Sequence, residues 1–239
     1  MYSTSQLGLP LVMPAQAQKH VTVNEALVRL DAAVQMRFTR STLRSPSSSA
    51  AEGQCFLIPS DATAEWDGLA GQIAARSNGG WVYLTPSAGW TGWDVETATR
   101  IFFDGADWSP EPQAASRSGA ATLTEILEFD HEIFAGESNL TSIVVPANTQ
   151  ILAVTGRVKM SIVGAGLSGW RLGVEGADDR YGSNIGLAVN SYALGMSGSP
   201  VTYYEDTSLK ITSQGGAFES GVIRFCVHLL VVRPPAPFA

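Results

Sequence analysis

Between Gln54 and Val232 the chain is broken into short apolar runs by glycine, proline, asparagine and aspartate, and this rhythm confines it to β architectures. Runs such as Cys55–Ile58, Trp81–Leu84, Ile101–Phe103 and Trp170–Val174 end too soon for amphipathic helices. Asn78-Gly79-Gly80 and Asp104-Gly105 supply the positive-φ residues that tight hairpins require. Gly 24, Pro 12 and a charged content of only 15% suit many strands joined by close turns.

One helix is expected. Thr22 and Glu25 have capping-box spacing, and Leu27, Leu30 and Val34 recur at helical intervals as far as Arg37. Ahead of it, Leu7–Ala17 carries Leu9, Leu11 and Met13 between Pro10 and Pro14, which rule out regular helix or central strand. An extended apolar arm of this kind needs cover, either from another chain or from the rest of its own. Leu9, Leu11, Met13, Leu27, Leu30 and Val34 are therefore the expected assembly residues.

Two stretches rich in small and polar residues divide the chain, Ser45–Gly53 and Ser109–Ala120. They predict an arm and helix over 1–45, a small Trp-rich antiparallel sheet domain over 46–112, and a β-sandwich or jelly-roll-like domain over 119–239. In the last run, Ile223, Phe225, Val227, Leu229 and Val231 are expected to face the core, with Arg224, Cys226 and His228 on the opposite side. The polar stretch Asp178–Asn184 reads as a loop.

The net charge of −7 argues against general nucleic-acid binding, although Lys19, Arg29, Arg37, Arg40 and Arg44 make the N-terminal part basic. No run approaches the length needed to span a bilayer, and the opening residues lack a secretory pattern, so a protein without membrane insertion is expected. Cys55 and Cys226, each inside an apolar run, read as two buried thiols rather than a disulfide or a metal site. His20, His131 and His228 have no ligand spacing, so neither a metal nor a cofactor is expected.

No nucleophile elbow or phosphate loop occurs, and a non-enzymatic role is expected. Asp104 with Asp107, Asp178 with Asp179, and Glu205 with Asp206 are the acid pairs a capsule depolymerase would require, but each sits in turn-like surroundings that favour solvation. Aromatic faces beside polar groups suit a polyhydroxylated ligand. The tryptophans of the small domain read first as core; the alternative is a candidate glycan surface comprising Trp66 and Trp90 in turns, with Trp170, Arg171, Asp179, Arg180, Tyr181 and Asn184 farther along.

The stretch Gly8–Gln35, Gly-Leu-Pro-Leu-Val-Met-Pro-Ala-Gln-Ala-Gln-Lys-His onward, resembles the start of a DUF2793-type family found in alphaproteobacterial tailed phages, prophages and gene transfer agents. The likeness continues through Glu52-Gly53, Gly71–Ala74, Gly80-Trp81, Leu84–Pro86, Gly89-Trp90 and Phe103–Trp108. It implies a virion accessory protein, either a head-vertex spike or a tail fibre component. Such a protein would be made in the host cytoplasm, join capsid or tail proteins, and engage host surface polysaccharide. The resemblance carries no catalytic residues. A homo-oligomer follows as an expectation, a trimer first and a pentamer if the protein sits on a five-fold vertex. The alternatives are a purely structural capsid or tail decoration protein and, less favoured, a capsule depolymerase.

Overall fold

The computed structural model describes residues 3–13, 19–40 and 42–237. It is mostly β, with one helix near the N-terminus, and it divides into two compact units, Met1–Glu111 and Pro112–Ala239.

In the first unit, helix α1 (Lys19–Ala33) precedes β1 (Arg37–Arg40). The helix begins before Thr22, so the expected capping box lies inside it, and Glu25 instead pairs with Arg29 at 3.2 Å. It also stops short of Arg37, because Gln35 takes a left-handed conformation (φ 56°) that turns the chain into β1. The other strands are β2 (Cys55–Leu57), β3 (Ile73–Ser77), β4 (Gly80–Leu84), β5 (Thr91–Asp94), β6 (Thr99–Phe103) and β7 (Trp108–Pro110). Their order is β4-β3-β2-β1-β5-β6-β7, with β1 parallel to both its neighbours.

Residues 1–45 therefore form no separate module, since β1 is the middle strand of the sheet to which residues 46–112 contribute. An amphipathic segment adjoining short strands gains more by pairing into their sheet than by standing apart, because pairing satisfies its backbone groups. The Asn78-Gly79 hairpin forms with both residues at positive φ, and the Glu52 carboxylate accepts their amides at 2.7 and 2.8 Å.

Both faces of the sheet are packed. Ala32 and Met36, from the helical side, meet Phe38, Cys55, Ile73 and Ile101. On the other face Phe56, Ile58 and Ala74 enclose Trp66, which comes from a 3-10 turn (Ala64–Trp66). Cys55 is buried and unpaired, and burial pushes its thiol up to about 11.

The N-terminal arm docks on its own helix. Asp31 gathers it: Thr4 Oγ1 donates to Oδ1 at 2.7 Å, and the amides of Gln6 and Leu7 donate to the two carboxylate oxygens at 2.9 and 2.7 Å. Asn24 brackets Val12 through both of that residue's backbone groups, at 2.8 and 3.0 Å. Of the two kinds of cover open to the arm, its backbone takes the intramolecular one. Leu9, Leu11 and Leu27 are half-buried, while Met13, Leu30 and Val34 remain exposed. The part of the expected arm at 14–17 lies outside the described residues.

The second unit contains β8 (Ala114–Ala115), β9 (Ala121–Glu132), β10 (Ser138–Val145), β11 (Gln150–Val163), β12 (Gly169–Val174), β13 (Ala177–Ile185), β14 (Tyr192–Thr202), β15 (Thr207–Gln214) and β16 (Ser220–Arg233). One sheet runs β14-β11-β16-β9-β8 and the other β10-β15-β12-β13. For the eight strands β9–β16 this is jelly-roll order, two Greek keys folded face to face. Residues from both sheets share one core around Trp170, Phe225, Leu209 and Ile211. In β16, Ile223, Phe225, Val227 and Leu229 are buried as alternation requires.

The stretch Asp178–Asn184 differs from expectation. It belongs to β13, a polar edge strand turned back from β12 at Glu175-Gly176 and interrupted by irregular register. Edge strands carry polar residues because one side of the ladder meets water, and this makes them resemble loops in sequence.

Candidate functional site

The expected glycan surface does not assemble. Trp66 is buried among Phe56 and Trp81, with ring centroids 5.9 and 5.5 Å away. Trp170 lies at the centre of the jelly-roll core, and its indole N–H donates to Gly186 O at 3.0 Å. Tyr181 is buried too, its hydroxyl 3.1 Å from that of Tyr203 and its pKa raised chiefly by desolvation. None of the three offers a ring face to a ligand. Large aromatics stabilise a small β unit best when enclosed, and here packing has taken them.

The remaining candidates are scattered. Arg171 is half-buried on β12, whereas Asp179 and Arg180 are exposed on β13. Asn184 is held by Gln214, whose side chain accepts its amide at 2.8 Å and donates to its Oδ1 at 3.1 Å. Asp178 pairs with Lys210 at 3.1 Å, and hydrogen bonding to that ammonium lowers its pKa.

Other acids spend their oxygens on backbone amides. Asp104 Oδ1 accepts from Ala106 and Asp107 at 2.7 and 2.8 Å, contacts that lower its pKa, and Asp206 accepts from Ala147 at 2.9 Å. Among the described residues no group of three His, Cys, Asp or Glu side chains is placed to hold a metal.

Two surfaces do concentrate functional groups. The first is the outer face of the five-stranded sheet in the second unit. On β14, Tyr192, Leu194 and Met196 are exposed to 63%, 66% and 68%, alternate residues on one side of an edge strand. In register with them across β11 and β16 stand Arg157 with Arg224, Thr155 with Cys226, and Ala153 with His228. β9 completes the rows with Asp130, Glu128 and Ile126, the last 62% exposed.

The charged end of this face is tied together. Arg224 makes paired contacts with Asp130 at 2.7 and 2.9 Å, and Lys159 reaches the same carboxylate at 2.6 Å. These two cations hold the Asp130 carboxyl well below the usual carboxylate range. Arg157 lies over the Tyr192 ring, 5.4 Å from its centroid. Sequence reasoning missed β14 because Gly195, Gly198 and Pro200 make its stretch look like a turn. The signal was present in the period of two shared by Tyr192, Leu194 and Met196.

The second surface belongs to the first unit. An open depression of about 670 Å³ lies over β1, β5 and β6, and Trp90 and Trp93 both line it. Ladder register sets Trp93 beside Arg37 on one side and Arg100 on the other, and all three are exposed. Trp90, the one expected glycan residue found here, is half-buried with its inner side against the core.

Residues 23–109 match the model of a family described as "Protein of unknown function (DUF2793)". No curated protein matches the chain. Among solved structures, one likeness is to a chain of the "Cyanophage Pam1 capsid asymmetric unit", at 18% identity and a TM-score of 0.32, covering 52% of this chain and 91% of that one.

Proposed function

We propose that this is a non-enzymatic structural protein of a phage-type virion, that it assembles with copies of itself, and that it contacts polysaccharide on the host surface. One observation carries the reading: the stripe of Tyr192, Leu194 and Met196, standing out of a jelly-roll sheet beside a face of mixed charge. Contiguous large apolar side chains at such exposure mark protein interaction surfaces. A face holding both signs, here Arg157, Arg224 and Lys159 with Glu128 and Asp130, is able to meet a rotated copy of itself without net repulsion.

Jelly-roll order recurs in viral capsid and lectin domains, and this agrees with the phage resemblance of the first half. One acid of each candidate pair, Asp104, Asp178 and Asp206, is engaged by backbone amides or an ion pair, which supports assembly over catalysis. A head-vertex spike or tail fibre component, trimeric or else pentameric, fits this reading, with repeated weak sugar contacts summed by symmetry.

Sedimentation of the purified chain tests the assembly. A single oligomer is expected, and Leu194→Glu with Met196→Glu should return it to monomer with unchanged circular dichroism. A wild-type chain that stays monomeric at every concentration refutes self-assembly.

A further inference from the structure

Among the described residues, the depression over β1, β5 and β6 brings together an aromatic face, an unpaired positive charge and open space. Arg37, Trp93 and Arg100 form a single row across three adjacent strands, so their side chains leave the same face of the sheet. Two strand spacings, about 10 Å, separate the outer members. The indole in the middle is 42% exposed. Arg76 lies over Trp81 and Arg157 over Tyr192, but among the described residues no guanidinium covers Trp93 in this way.

Arg100 is held by Glu111, Nε to Oε2 at 2.7 Å, which fixes the guanidinium while leaving its other N–H donors available. Arg37 has no acidic partner among the described residues. Thr91 and Gln35, also on the rim, add hydrogen-bonding groups suited to hydroxyls.

We infer that this row is a binding site for an acidic polysaccharide, with a sugar ring lying on Trp93 and its carboxylate taken by Arg37 or Arg100. The inference rests on the polysaccharide part of the function proposed above and names the site and the class of sugar. A neutral sugar would use the indole and leave Arg37 without an anionic partner. A nucleic acid would bring a phosphate at every residue against a chain of net charge −7, with only two cations to receive it. A uronic acid polymer spaces its charge more widely, and a carboxylate matches the guanidinium fork.

Calorimetric titration of the full chain with oligomers of polygalacturonate, alginate and hyaluronan tests this, with neutral dextran and oligo-dT as comparators. At least one acidic sugar should bind and weaken with salt. Trp93→Ala should reduce its affinity about tenfold or more, and Arg37→Gln and Arg100→Gln each about tenfold. Glu111→Gln should tighten it by releasing Arg100. All these side chains are exposed or half-exposed, so unchanged thermal unfolding is expected to accompany the losses.

Dextran binding as well as the acidic sugars, indifferent to Arg37 and Arg100, overturns the acidic site while leaving polysaccharide binding in place. Binding of none of the sugars overturns both, and the sedimentation result for self-assembly is unaffected. A preference for oligo-dT overturns the sugar assignment altogether.

Discussion

At the scale of single residues, Gly92 shows how closely the first unit is packed. A methyl group added there would overlap the ring of Phe38, which is fully buried, and would come within 3.2 Å of Met36 Cβ. Neither neighbour has space to retreat. Gly92→Ala is expected to destabilise the protein by about 1–3 kcal/mol, the cost of overpacking a filled core, measured as a lowered denaturant midpoint with an unchanged slope. Single residues are also where sequence reading was weakest. Nothing local separates Trp66 and Trp170, which are buried, from Trp93, which is open, because a charged residue directly follows each of them, Asp67, Arg171 and Asp94. The distinction comes from register: Trp93 pairs with two arginines across its sheet, and those partners lie far away along the chain or beyond a turn.

At the scale of elements, periodicity was informative wherever a strand had one dry face. The run in β12 is buried almost throughout, whereas the core side of β16 and the runs within β10 and β15 were legible because buried and more exposed residues alternate in them. β13 and β14 were not, since both are edge strands with polar or glycine-rich sequence. The ion network that stitches β9, β11 and β16 together could not be read either, because Asp130 meets Lys159 and Arg224 only after the strands pair.

That network has a pH signature. Asp130 titrates below its unfolded value, so its contribution is present above the unfolded pKa near 4 and is lost as pH falls through the lower folded pKa. Its side chain is more than a third exposed, so solvent limits the effect. Asp130→Asn should lower stability at pH 7 by about 1 kcal/mol or less, an amount that shrinks in high salt and vanishes in strong acid. Unfolding curves of the two proteins across that pH range check it.

At the scale of the whole molecule, the proposed assembly face lies entirely in the second unit, on strands drawn from Ala121–Arg233. A fragment spanning residues 112–239 has its own core and should fold alone and keep the oligomeric state of the full chain. Light scattering of that fragment checks the expectation, and a monomer would move the contacts to the first unit. The apolar side chains of α1 and the arm, Val21, Val23, Leu30 and Met13 among them, would then be the surface to alter next. Sequence reading foresaw a mostly β chain with one early helix, and it placed the first strand within the arm and helix over 1–45 instead of in the sheet.

That first strand has a consequence for biosynthesis. β1 leaves the ribosome ahead of every partner, yet it is the keel on which the sheet is laid, with β2 on one flank and β5, more than fifty positions downstream, on the other. Until Trp93 has been translated, the keel has a bare side. The nascent chain must keep that side from stray pairing until β5 emerges.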